Sequence, residues 1–434
     1  MDKKSKDPKG KQNDQAAPGS HPKARKALET KLKAAIEEAK IDKGFPVTKL
    51  EGDWGWDLAK EVAEQKAKFL SAGNAWGILY DFIRLIFDSL PYDERPSGKL
   101  IEILDSEKQK SLISGLLEFY DSFPRKYTLY FRFVGGKNGA WKNLKISKDV
   151  ELVTVTARHP LLKLKRGWKT ENSLVDRILD KKHDGRVFHP GNSVITIKTE
   201  GFAKNSTEDS AISSAISRLK CITCLGEMSE VLTYAKNNSP WGGPIRASIF
   251  ILDDTLGEGI LDKVNIPDEM ALLLAGYALS KRAKGKGLID PQLWSFQQIG
   301  KLLDASPDDE NRTPIVTAAE WAFDSNSSSN ETVSFIQLCI ALEAILGDDK
   351  LKEGITKALA DRCAYSLGTT AKNRREFREI FEDLYDHRSK LVHGRRIKLE
   401  SGAQKSLYVG KWLLKGILRK ELGNFTHHKN KMHR

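Results

Sequence analysis

Cysteine is scarce in this chain: four in 434 residues, too few for a disulfide framework at this length. Cys221 and Cys224 form a single CxxC on a predicted amphipathic helix. A zinc site wants a second ligand pair, and the nearest histidines, His183 and His189, lack paired spacing, so no metal is expected. Cys339 and Cys363 fall on apolar helical stripes, where a free thiol acts as a small hydrophobe. No apolar run approaches the ~20 residues that a membrane span requires. The Lys-rich N-terminus has no apolar core of the kind a secretory signal carries. A cytoplasmic protein with no membrane partner is the expectation.

Several chemical signatures are missing too. No GxSxG, HExxH or kinase pattern occurs, which argues against hydrolase, zinc-protease and kinase readings of that kind. The glycines at 135–139 and 284–287 have neither the GxxxxGK[ST] pattern nor a helix opening after a strand, so they read as turns. Asp253-Asp254 has no companion acidic motif and reads as a strand-ending turn. His159 and His189 are isolated and read as surface or satisfied residues. No cofactor is expected.

What the chain does have is charge and size. It carries 71 Lys and Arg against 58 Asp and Glu, a formal net charge of +13, which suits a polyanion partner. At 434 residues it is long enough for two or three domains, each with its own core. Residues 1–26 are polar, Lys-rich and without periodicity, and are predicted to be a disordered basic tail. Helical signals run through 27–125. From 126 to 304 the period turns towards two at 127–134, 150–155, 187–199 and 245–252, with helices at 208–235, 268–283 and 291–303. This makes a mixed α+β region inside a mostly α chain. The acidic, turn-rich segment 304–311 reads as a linker. Thr313 as N-cap and Pro314 at the first helical position then begin five helices over 312–422, joined by short loops, the pattern of an antiparallel bundle. A basic tail follows at 423–434. The last helix carries Lys411, Lys415, Arg419 and Lys420, a candidate RNA-binding set, because phosphate contacts supply most non-specific nucleic-acid affinity.

The most informative stretch is Tyr385-Asp386-His387-Arg388-Ser389-Lys390-Leu391-Val392-His393-Gly394. Phe377, Ile380, Phe381, Leu384, Tyr385, Leu391 and Val392 recur at three- and four-residue steps, so a core-facing helix is predicted. Arg388 falls inside that stripe, where a guanidinium must find partners or solvent. His393 stands at the helix end, before a glycine stop. By pattern alone, an Arg paired with a core carboxylate and a His capping a helix remain open as purely structural roles.

This Arg-x4-His stretch resembles the signature of the HEPN superfamily, and its wording is similar to the branch called ApeA-like HEPN domains. The segment 335–346, with Ala341-Leu342-Glu343 followed by apolar residues, is similar to that family's second helix, and 313–321 to its first. The resemblance covers 312–422, about a quarter of the chain. It implies a HEPN-type bundle that pairs as a homodimer, the two motifs meeting at the seam.

Five residues at about 100° each set Arg388 and His393 ~140° apart around one helix and ~7.5 Å apart along it. A single intact helix therefore does not aim both at one phosphate; an unwound helix end or a second copy is needed. The chemistry fits metal-free RNA cleavage, in which a ribose 2′-hydroxyl attacks the adjacent phosphorus. Histidine serves as acid or base near neutral pH, and arginine's fork matches the phosphorane oxygens. Glu343 is the natural carboxylate to hold Arg388, and Asp386 or Ser389 the groups to orient a base or water. The expectation is a metal-independent endoribonuclease, which the resemblance ties to bacterial antiphage defence or growth arrest. The N-terminal region would bind an unidentified trigger. The alternative is a non-catalytic HEPN module binding RNA, nucleotide or a partner protein.

Overall fold

The computed structural model describes residues 22–47, 54–134, 141, 143–167, 187–235, 243–281, 290–347, 354–393 and 401–432, the last with side chains from 404 to 426. The chain is mostly helical with a mixed sheet in its middle, and it divides into two compact units, Met1–Arg125 and Lys126–Arg434.

The first unit holds α1 (Pro22–Glu38), α2 (Trp56–Gln65), α3 (Ala72–Phe87), α4 (Leu100–Ile103) and α5 (Ser106–Asp121). The expected tail at 1–26 is corrected at its end: Pro22–Lys26 belong to α1, with Pro22 at a first helical position where its missing N–H costs nothing. Residues 1–21 lie outside the described residues. A small sheet not legible from periodicity joins β1 (Lys40–Asp42), β2 (Phe45–Pro46) and β3 (Gly98–Lys99). Its hairpin turns on Lys43 and Gly44, both at positive φ (47° and 76°), the twist that suits a two-residue turn.

In the second unit the seven-stranded sheet runs in the order β5 (Leu144–Ser147), β6 (Val150–Thr154), β8 (Ser193–Gly201), β4 (Arg125–Arg132), β10 (Ile249–Asp253), β11 (Ile260–Lys263) and β7 (Lys165–Arg166). Its central strands alternate. Leu129, Phe131, Ile195, Ile197, Ile249 and Ile251 face one core, while Tyr130, Val194 and Phe250 face another with Phe188 and Leu161. Apolar residues on both faces are what a sheet covered on both sides requires.

Helix α6 (Ser210–Met228) lies on the first face. The sequence predicted an amphipathic helix reaching 235; both points are corrected. Ala211, Ile212, Ala215, Ile216, Leu219, Cys221, Ile222, Cys224 and Leu225 are all buried, so the helix is covered nearly all round. It stops early because Glu230 turns left-handed (φ 61°), and Leu232–Tyr234 (β9) then pairs with Tyr277–Leu279 (β12). For the same reason the helix predicted at 268–283 ends as α7 (Asp268–Ala275). α8 (Pro291–Asp304) crosses β5 so closely that a Cβ on Gly300 would meet the Ile146 carbonyl.

Five helices follow: α9 (Arg312–Ser327), α10 (Glu331–Leu346), α11 (Ile355–Leu367), α12 (Ala371–Val392) and α13 (Ser401–Met432). Two boundaries are corrected. α9 starts one residue before Thr313, whose hydroxyl instead bonds back to the Pro307 and Asp309 carbonyls. The tail predicted at 423–434 is helix to Met432, held by the buried Phe425 and Thr426. The 126–304 region and the five helices are not separate bodies either. α6 packs against α9 and α13, so the sheet, α6 and the helices share one core. Segment 304–311 is a tight connection rather than a free linker, with the Arg312 guanidinium donating to the Leu302 carbonyl.

Asn330 caps α10 through the Thr332 and Val333 amides, and Thr370 caps α12 through the Asn373 amide. α13 packs against the other four helices. At Gly410 it comes so near α10 and α12 that a Cβ there would lie 2.6 Å from both Leu338 and Leu384.

Candidate functional site

The site begins with α10 and α12 lying side by side. Leu338 and Leu342 on α10, and Phe381 and Leu384 on α12, are fully buried and fix the register of the two helices. One turn beyond this packing, Arg388 Nη2 meets Glu343 Oε1 at 3.1 Å, with the two side chains 31% and 33% exposed. The guanidinium is thus anchored on one side and open to solvent on the other. Glu343 occupies part of a group that offers five N–H donors, leaving others for an incoming anion.

Two residues that the sequence offered only as core now belong to this cluster. The Tyr385 ring is buried and stacks on Phe381, with centroids 4.8 Å apart. Burial, and then the nearby Glu343 charge, hold its phenol far above the usual tyrosine range. Its hydroxyl approaches Glu343 but has no hydrogen bond of normal geometry. Cys339, one turn before Glu343, is buried, and burial followed by the Glu343 charge pushes its thiol up. Spacing carried the signal for both, since Cys339 is four residues before Glu343 and Tyr385 three before Arg388, on the facing sides of their helices.

His393 is elsewhere. α12 stays helical to Val392, and the His393 amide still donates to the Ser389 carbonyl at 3.0 Å, so the helix end does not unwind before Gly394, which lies outside the described residues. The His393 side chain is exposed, and among the described residues no hydrogen bond or ion pair joins it to Arg388. Asp386 and Ser389 are exposed as well, and Asp386 pairs with Lys390 on the surface instead of the cluster. Neither is brought to Arg388, because each sits on another face of the helix. The predicted core stripe is also narrower than its spacing implied: Ile380 and Val392 are 37% and 49% exposed.

His387, passed over in the sequence, is half-buried on α12. Its Nε2 lies 3.8 Å from Asp383, and its Nδ1 is buried without a partner.

The four basic residues of α13 do not form one free patch. Lys411 turns inward, donates to the Ser325 carbonyl at 3.3 Å, and is held below the usual lysine range by burial. Lys420 donates to the Ser366 carbonyl. Arg419 makes an exposed pair with Glu230 at 3.7 Å, and Lys415 is half-buried. Cys221 and Cys224 are buried in α6, their thiols pushed up by burial. Among the described residues no group of three or more His, Cys, Asp or Glu is placed to hold a metal ion. Among them too, no helix is long and apolar enough to cross a membrane.

A cleft of about 410 Å³ opens where α6 and α7 meet α9 and α10. Ser217, Lys220, Glu320, Asp324 and Gln337 line it, with Lys220 and Asp324 paired at 2.7 Å and Gln337 Oε1 buried without a partner.

Comparison with protein-family models, with curated proteins and with solved structures finds no match to this chain.

Proposed function

We propose that this chain is a metal-independent endoribonuclease whose reacting site forms when two copies pair through the C-terminal helices. The observation that carries the reading is the Arg388–Glu343 pair. It presents a permanently charged, planar phosphate ligand at a fixed position while keeping part of it open to solvent. His393 of a second copy supplies the proton-transfer group that the helix geometry denies to Arg388 within one chain. In the reaction the ribose 2′-hydroxyl loses its proton to a base and attacks phosphorus. Arg388 neutralises the charge gathering on the phosphorane oxygens, and the 5′-oxygen leaves with a proton.

The likeness of 312–422 to ApeA-like HEPN domains supports the same reading and, with it, a part in antiphage defence or growth arrest. Residues 126–304 are the regulatory portion. The polar cleft at the sheet–helix junction is the place for a trigger, because Gln337 in its wall lies on the same helix as Glu343, ~9 Å along the axis.

The test is to incubate the purified chain with total RNA in EDTA beside an Arg388→Ala/His393→Ala variant. The expected result is cleavage by the wild type alone, leaving 2′,3′-cyclic phosphate and 5′-hydroxyl ends. Activity that EDTA abolishes and Mg²⁺ restores, with 3′-hydroxyl ends, would overturn the reading. The second reading, a binding module without catalysis, is favoured by one observation. An arginine paired to a glutamate across two helices is also what a purely structural role produces. Intact RNA under every condition, with retained RNA binding, would establish it.

A further inference from the structure

α13 has an inner face and an outer face of different character. Leu407, Leu413, Leu414, Ile417, Leu418, Leu422 and Phe425 are buried and complete the bundle core. On the outside, Tyr408 is 71% exposed and Trp412 is 58% exposed. Large aromatic side chains in water at this level are not needed for packing, and two on one stripe mark a surface with a use.

Around the helix, Lys405, Tyr408, Trp412, Lys415 and Arg419 recur at three- and four-residue steps. They fall within an arc of about 80° and span ~21 Å of axis. The order is cation, ring, ring, cation, cation. Phe377 of α12 stacks beneath Trp412, with ring centroids 5.9 Å apart at 28°, and holds the indole in place without covering it. Neither Lys405 nor Lys415 has an ion-pair partner among the described residues. The Arg419–Glu230 pair at 3.7 Å has both side chains more than 60% exposed, the kind of contact that holds little and yields readily to a phosphate. On α12, Asp383 accepts from the Ser406 hydroxyl at 3.4 Å and lies 3.8 Å from His387 Nε2.

We infer that this face is a stacking platform for single-stranded RNA, with two bases lying on Tyr408 and Trp412 and the flanking phosphates on Lys405, Lys415 and Arg419. Flat rings interleaved with cations along one line match a polyanion whose bases are unstacked and free to lie on an aromatic surface. Charge argues against the other obvious occupant, a second copy of the chain. A two-fold pairing along the stripe would set its cations against the same cations of the copy, a like-charge clash at an interface. The inference rests on RNA as substrate and adds how the strand is held. The platform helix crosses α12 at Gly410 and Leu384, one turn from Arg388.

The experiment measures fluorescence anisotropy of a labelled single-stranded 12-mer RNA with the full-length chain. It is carried in an Arg388→Ala/His393→Ala background so that the strand stays intact. Tyr408→Ala and Trp412→Ala should each weaken binding about ten-fold, Trp412→Phe much less. Lys405→Gln with Lys415→Gln should flatten the salt dependence by about 1.4 in log–log slope. The same sequence as a duplex should be indifferent to Trp412→Ala. Both rings are mostly exposed, so the variants should stay folded, with only a small fall in melting temperature from loss of the Trp412–Phe377 stack. Unchanged affinity in a Tyr408→Ala/Trp412→Ala protein overturns the platform. So does loss of self-association in sedimentation, which would make the face a copy-to-copy contact, or ring-dependent binding to anionic vesicles but not to RNA. If the rings matter for binding yet the wild type cuts no RNA, the platform stands and the ribonuclease reading falls. If, in a chain that keeps Arg388 and His393, cleavage is unaffected by loss of both rings, the ribonuclease stands and the platform falls.

Discussion

Arg388 on α12 and Glu343 on α10 face each other at 3.1 Å, and each keeps about a third of its side chain in solvent. That half-open geometry distinguishes the pair from a core ion pair and from a surface one. A fully buried pair would have no donor left to offer, and a fully exposed one would have no fixed direction.

The pair makes the first prediction. Glu343→Ala should cost about 1–2 kcal/mol of stability, between the values for exposed and buried pairs, and should lower cleavage. The charge-swapped Glu343→Arg/Arg388→Glu chain should recover most of the stability but none of the cleavage. Denaturant melts beside RNA turnover check it, and recovery of both together would reduce Arg388 to a structural residue.

Tyr385 carries the second. Its buried hydroxyl lacks a well-formed partner, so Tyr385→Phe should leave stability unchanged or raise it by about 1 kcal/mol. A loss of that size would instead reveal a bond to Glu343 worth having.

The third follows from the buried phenols. Burial raises Tyr120, Tyr277 and Tyr385, and takes Tyr130 up to about 12. A raised folded-state pKa means that the folded chain holds these protons where the unfolded chain has released them. Stability is therefore whole below about pH 10 and falls as pH climbs beyond it. Phenolate absorbance near 295 nm and loss of helical circular dichroism should appear together on alkaline titration. Ionisation without unfolding would contradict the burial.

Lys411 provides a fourth. Burial depresses its ammonium pKa, so protonation penalises the folded state at neutral pH, and the penalty fades only as pH rises towards the free-lysine value. Lys411→Met should hold or raise the melting temperature at pH 7, since the Ser325 carbonyl keeps the Ser334 hydroxyl as donor at 2.6 Å. A clear fall would mean that attraction to Glu227 outweighs desolvation.

The last prediction concerns the pairing of copies. Arg388→Ala and His393→Ala proteins should each be nearly inactive, and mixing them should restore part of the activity through heterodimers that keep one composite site. Specific activity should fall on dilution below the dimer dissociation constant. A monomer fully active at every concentration would contradict the arrangement.

Periodicity carried much of the architecture. The three- and four-residue apolar steps of α12 placed that helix, and the period-two runs placed β4, β6, β8 and β10, because side-chain direction repeats with the backbone. Strands of two or three residues such as β1, β2, β3 and β9 have too few side chains to show a period, and pairing made them: β1 with β2 across a tight turn and with β3 far along the chain, β9 with the distant β12. A strongly helical run also conceals which side meets which neighbour. α6 read as amphipathic until the sheet and the C-terminal helices covered it from both sides. At the site, local spacing determined that Arg388 and His393 do not share a face of one helix, and chemistry pointed to Glu343 as the arginine's partner. Only the packing of α10 on α12 could set that pair at bonding distance, bury Tyr385 beside it and leave Asp386 and Ser389 outside. The same division holds on α13, where composition shows the cations but tertiary contact decides their use. Lys411 is spent on the Ser325 carbonyl inside the bundle, while Tyr408 and Trp412, whose apolar rings alone would suggest a core, stand in solvent because leucines and a phenylalanine on the opposite face already fill it.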